Sequence, residues 1–196
     1  MSRLGRIANR LRRASNESFW VEQTDQIEGD PMQAAAFPDG NKVKVTTGLV
    51  NRLTDDELAY VIGHEIAHLE GGHAARLERT HDAGLSIAKA SVRAVDRALE
   101  RSGVGMGRRI VGALTSAVIT GAAAGLGSLK QSRDLEREAD DRGQEISSSA
   151  GYDPEAAASA IAKIDGGLND PGLIQKLTST HPSSCERYLN LSGKSH

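Results

Sequence analysis

Residues 54–68 read Thr54-Asp55-Asp56-Glu57-Leu58-Ala59-Tyr60-Val61-Ile62-Gly63-His64-Glu65-Ile66-Ala67-His68. The stretch opens with a capping box: a Thr at the N-cap and a Glu three residues on satisfy orphan backbone donors reciprocally. Leu58, Val61, Ile62, Ile66 and Leu69 recur at spacings of three and four, the pattern of a helix with one buried face. Gly71-Gly72 then weakens or ends it. The segment predicts a helix from about residue 55 to about residue 70.

His64 and His68 stand at i and i+4 of that helix, one turn apart on one face. Two imidazoles so placed reach a single zinc ion at about 2.0–2.1 Å. Glu65 is the residue type that serves as general base toward the attacking water at such a site. A helix interior suits the purpose, because ligand positions must hold within roughly 0.5 Å.

A catalytic zinc site needs a third protein ligand and one open position. The long metzincin pattern would continue to a Gly and a further His. Gly71 fits it, but Ala74 stands where that His belongs. His73 would point to the opposite side of a continuous helix, at about 100° per residue, and reads as a capping or surface residue. Downstream, Asp134-Leu135-Glu136-Arg137-Glu138-Ala139-Asp140 places Glu136 and Asp140 at i and i+4 of a second helix. One carboxylate there can bind metal while the other hydrogen-bonds the free ring nitrogen of a ligand His and fixes its tautomer. Glu138 should face away from Glu136.

Taken together, the chain resembles the HtpX and CAAX prenyl protease family of zinc metallopeptidases, within the gluzincins. The resemblance rests on residues 54–68, on Glu136-Arg137-Glu138-Ala139-Asp140, on Gly151-Tyr152-Asp153-Pro154, and on Thr180-His181-Pro182 with Arg187. It implies His64, His68 and Glu136 as ligands of one zinc ion per chain, Glu65 as general base, and Asp140 as the orienter behind the ligands. His181 falls in the family's His-Pro loop near the active site, where it stabilises an oxyanion or closes the open zinc position. The plainer alternative is a loop His held by Pro182. Arg187 reads as a salt-bridge residue holding that loop. Gln33-Ala34-Ala35-Ala36-Phe37-Pro38-Asp39-Gly40 departs from the family's Asn-Ala-Phe before the turn, which bears on substrate preference rather than on the zinc chemistry.

The fold expected is α+β: a mostly helical zincin-like metalloprotease domain with a small antiparallel β-hairpin beside the active-site helix. Pro38-Asp39-Gly40-Asn41 is a turn signal, and Lys42-Val43-Lys44-Val45-Thr46-Thr47 alternates as a strand does. The resemblance implies an edge strand that takes substrate backbone in extended form. The divisions expected are residues 1–29, a basic helix and lead-in; 30–191, the peptidase domain with a helical hairpin insert at about 75–130; and 192–196, a tail. Further helices are expected at 156–164, near 171–177 and near 184–191.

Two segments point toward a membrane. Residues 110–129 (IVGALTSAVITGAAAGLGSL) carry no charge, are long enough for a span, and hold a Gly121-x-x-x-Gly125 packing pattern. The run lacks an aromatic belt, so a buried soluble hairpin is the alternative. Residues 1–13 combine five arginines with Leu4, Ile7, Ala8 and Leu11 at helical spacing, which reads as a membrane-surface helix, a presequence-like segment or a helix packed on the domain. No secretory signal is seen, which leaves cytoplasmic, peripheral-membrane and mitochondrial locations.

A net charge of −2 and 3% aromatic residues over 196 residues give no nucleic-acid footprint. A single cysteine, Cys185, excludes an internal disulfide and a thiolate zinc cage. The function expected is a zinc-dependent endopeptidase acting on peptides or unfolded proteins, in quality control at a membrane. The alternative is a zinc-bound module that binds or chaperones partners without turnover.

Overall fold

The computed structural model of the chain describes residues 1–101, 131–164 and 184–193. The described elements are α1 (Arg3–Ala14), β1 (Trp20–Thr24), β2 (Ala34–Phe37), β3 (Lys42–Thr46), α2 (Thr47–Arg52), α3 (Asp55–Glu70) and α4 (His73–Arg101). They continue with α5 (131–149), α6 (Ala156–Ile164) and α7 (Ser184–Ser192). The architecture is α+β, mostly helical with one small sheet, as expected of a zincin-like domain. The chain forms two compact units, Met1–Ala74 with Arg133–His196, and Ala75–Ser132.

In the first unit, α3 is the central element. Its residues Leu58, Ala59, Ile62 and Ile66 are wholly buried, and they share one core with α1, the sheet, α5 and α6. The capping box forms as read. Thr54 Oγ1 accepts from Glu57 N at 3.3 Å, and the Glu57 carboxylate accepts from Thr54 N at 2.8 Å. Glu57 is itself buried and takes two further bonds from α6, from Ser159 Oγ at 2.7 Å and from Lys163 Nζ at 2.8 Å. These clamp the start of α3 to α6.

The hairpin also forms. β2 and β3 pair antiparallel from Ala34↔Val45 to Phe37↔Lys42, and Asn41 N–H donates to the Pro38 carbonyl across the turn at 3.1 Å. Val43 and Val45 both face the core. A third strand adds to what the sequence suggests: β1 pairs parallel with β3, from Trp20↔Lys42 to Thr24↔Thr46. β3 is therefore central, and β1 and β2 are the edges. Of these, β2 lies along α3.

The apolar face of α1, Leu4, Ile7, Ala8 and Leu11, is buried in this core. Several of its arginines receive the open carbonyls of other elements. Arg3 donates to Leu53 O and Val50 O at the end of α2, and Arg10 to Ala150 O and Gly151 O after α5. Those are the acceptors a helix end leaves without an internal partner.

α3 and α5 approach each other through glycine. A Cβ on Gly143 would sit 2.7 Å from both N and Cα of His64, and one on Gly63 would sit 2.8 Å from the Gly143 carbonyl oxygen. The two backbones touch directly beside the first histidine of the motif.

The second unit contains α4 from Ala75 onward. There Leu77, Leu85 and Ile87 are exposed. Among the described residues no helix is long and apolar enough to cross a membrane. The charge-free run 110–129, the helix expected near 171–177 and His181 lie outside the described residues.

Candidate metal centre

Two helices build the centre. α3 carries His64, Glu65 and His68, and α5 carries Glu136 and Asp140 one turn apart. His64, Glu65, Glu136 and Asp140 are each about 95% or more buried, at 4%, 4%, 4% and 3% exposure.

Ligand atoms of His64, His68 and Glu136 all lie within 4.8 Å of one another. His64 Nε2 and His68 Nε2 are 3.0 Å apart. Glu136 presents Oε2 to His64 Nε2 and Oε1 to His68 Nε2, each at 3.4 Å. Bonds of about 2.0–2.1 Å in a tetrahedral zinc site put ligand atoms about 3.3–3.4 Å apart. Each imidazole nitrogen has one Glu136 oxygen at that spacing, and the nitrogen–nitrogen distance is slightly shorter. Two imidazoles and one carboxylate are also the donor set of a zinc site that keeps a position open. The residues present fit the ion.

Behind His64, its Nδ1 faces Asp140 Oδ1 at 3.0 Å. Asp140 is held in turn by Tyr60, whose hydroxyl donates to Oδ1 at 2.8 Å. Arg187 on α7 grips the same carboxylate, with Nη2 to Oδ1 at 2.6 Å and Nε to Oδ2 at 2.9 Å. Arg187 Nη1 also stands 3.3 Å from Glu136 Oε2. One guanidinium thus spans the carboxylates of Glu136 and Asp140, the forked geometry at which arginine excels.

These contacts set the protonation of the site. Burial and Arg187 push the His64 imidazole down, but its hydrogen bonds to the Asp140 and Glu136 carboxylates outweigh them and raise it to about 9. Burial pushes Asp140 up, and its bonds to His64 and Arg187 outweigh that and hold it well below the usual carboxylate range. Burial, with Asp140 close by, drives the Tyr60 hydroxyl well above its ordinary value, so it remains a donor.

His73 is not where a continuous helix would put it. Gly72 takes φ +56°, a left-handed conformation that glycine adopts without strain. α3 ends before it, and α4 begins at His73. The ring is buried at 3% exposure, with Nδ1 2.9 Å from His68 Nδ1. Glu138, on a different face of α5 from Glu136, reaches His73 Nε2 at 3.6 Å.

A model of peptidase family M48 matches residues 2–195. The chain belongs to peptidase family M48. This is the family that contains the HtpX and CAAX prenyl protease zinc metallopeptidases, so the M48 chain described here is a metallopeptidase of a zinc-dependent family. Among curated proteins and among solved structures nothing matches it.

In this M48 chain the structure brings together His64, His68, Glu136 and Asp140, and Glu65 is buried on the helix that carries both histidines. Reading the sequence alone missed Tyr60, Arg187 and His73 as parts of the same cluster. Tyr60 had a signal: it stands four residues before His64, on the same helix face. The sequence reads Arg187 as a salt-bridge residue holding the His-Pro loop; its actual partners, Asp140 and Glu136, have no local signature. His73 was misplaced because the turn at Gly72 re-aims the chain.

Proposed function

We propose that this chain is a zinc-dependent endopeptidase. His64, His68 and Glu136 hold the ion, and Asp140 orients His64. Glu65 takes a proton from the attacking water and returns it to the leaving amine. When bound, the ion supplies Lewis acidity toward water and the scissile carbonyl. The observation that carries the reading is the meeting of two Nε2 atoms and one carboxylate at 3.0–3.4 Å, with Glu65 buried on the same helix.

Peptide substrate adds in extended form to the edge of β2, which lies along α3. Main-chain hydrogen bonds of strand addition give affinity for varied and unfolded sequences. His181 is assigned from the family resemblance as a donor to the developing oxyanion. Action on membrane-associated proteins, through the charge-free run 110–129 and the basic face of residues 1–13, belongs to the same reading. Co-flotation with anionic vesicles tests that part.

The central experiment pairs Glu65→Gln with Glu136→Ala. Glu65→Gln should abolish hydrolysis of an unfolded protein substrate while keeping zinc. Glu136→Ala should lose zinc and activity together. Unchanged proteolysis by Glu65→Gln would sink the mechanism. A partner-binding module without turnover predicts no cleavage by wild type at all.

A further inference from the structure

The two histidines that face Glu136 through Nε2 differ in what stands behind them. His64 is backed by the carboxylate of Asp140. His68 is backed by a third imidazole, and no sequence spacing on a continuous helix would have put it there. We infer that His73 is the positioning residue of His68, fixing its tautomer and ring plane so that Nε2 faces the centre. This inference rests on the metal-centre reading above.

Three observations carry it. The first is the contact itself: Nδ1 to Nδ1 at 2.9 Å, between rings packed edge to face with centroids 4.8 Å apart and planes at 90°. Only one of the two nitrogens can carry the hydrogen. If His68 binds metal through Nε2, its Nδ1 holds a proton and donates to the bare Nδ1 of His73. The proton of His73 then sits on Nε2.

The second observation is what His73 Nε2 faces. Glu138 Oε1 lies 3.6 Å away, longer than a hydrogen bond, but its negative charge on that side favours the proton on Nε2 and leaves Nδ1 to accept. The direction of polarity runs from Glu138 through His73 to His68, and the direct partner behind His68 is the His73 imidazole, where His64 has Asp140. Such outer partners raise ligand basicity and are worth metal affinity.

The third is the room made for the ring. A Cβ on Gly71 would lie 2.1 Å from His73 Nε2 and 2.4 Å from Cδ2. The left-handed Gly72 turns the chain so that the ring comes back under α3. The Gly-Gly pair is thus both the stop of α3 and the seat of His73.

The test uses the full chain and reads zinc affinity by competition with a chromophoric chelator, with unfolding midpoints of the metal-free proteins alongside. His73→Asn keeps an acceptor oxygen near the place of Nδ1, and His73→Leu fills similar space without one. Leu should weaken zinc binding by about 10–100-fold, the usual cost of losing an outer partner, and Asn should restore most of it. Equal affinity in all three proteins overturns the inference, and so does an equal loss in Asn and Leu, which would mark a packing role. A second measurement needs no variant: ring nitrogen-15 spectra of zinc-loaded wild type should show His68 with its proton on Nδ1. A bare Nδ1 there overturns the inference even if His73→Leu does not fold. Wild type that takes up no zinc removes the metal-centre reading and this one together. Normal zinc in wild type with an indifferent His73→Leu removes this one alone.

Discussion

Glu57 at the start of α3 and Asp140 on α5 are both buried carboxylates, and both are satisfied by the same means. Each receives a cation from a later helix, Lys163 for Glu57 and Arg187 for Asp140. Each also receives a hydroxyl, from Ser159 and Tyr60 respectively. They differ in the third partner. Glu57 spends its remaining capacity on the backbone of Thr54, which fastens a helix end. Asp140 spends it on the His64 ring, which aims a ligand. The same device stabilises in one place and organises chemistry in the other, and the third partner decides which.

The sharpest break of that comparison is Asp140→Ala. It leaves Arg187 buried without its main counter-charge, a loss of about 3–5 kcal/mol for one partner of a buried pair. Denaturant unfolding reads this loss, and zinc affinity should fall with it. If zinc affinity held while stability fell, Asp140 would be only a second Glu57. Gly143→Ala comes next. Its Cβ would press on the His64 backbone at 2.7 Å, and overpacking of this kind costs about 1–3 kcal/mol. Zinc content by elemental analysis should drop as α3 and α5 part. A variant with full zinc would show that the centre tolerates a wider helix spacing.

Glu57→Gln should have the smallest effect, about 1 kcal/mol as for loss of a helix cap, with zinc unchanged. Its pH dependence sharpens the contrast. Burial pushes the Glu57 carboxyl up, but Lys163 and the other donors outweigh that and lower it below its ordinary 4.5. A group lowered in the folded state adds stability that is present above its unfolded value and lost as pH falls through the folded one. The difference in unfolding midpoint between wild type and Glu57→Gln should therefore shrink from pH 7 toward pH 3. A constant difference would assign the effect to packing.

What the sequence made legible was local. The capping box, the bounds of α3, the i and i+4 pairs on α3 and α5, and the β2–β3 turn all depend on residues within a few positions of one another. What escaped depends on distance or on a change of direction. β1 was missed because Trp20-Val21-Glu22-Gln23-Thr24 has no apolar alternation and acquires its partner only in register with β3. The grip of Lys163 on Glu57 and of Arg187 on Asp140 joins helices far apart in the chain. His73 was misread because a single positive φ at Gly72 re-aimed it.

One feature of the chain's layout bears on how such a protein changes over generations. The unit Ala75–Ser132 lies in sequence between the helix with two histidines and the helix with the glutamate. An ion shared by His64, His68 and Glu136 would close a loop that contains that whole unit. Loop closure depends on the logarithm of length, so doubling the loop adds only about 0.6 kcal/mol. The inserted unit can therefore be lengthened, trimmed or exchanged with little penalty to the centre. One residue added between His64 and His68 would instead swing one imidazole about 100° away. A change of length is cheap in residues 75–132 and disruptive between His64 and His68 on α3.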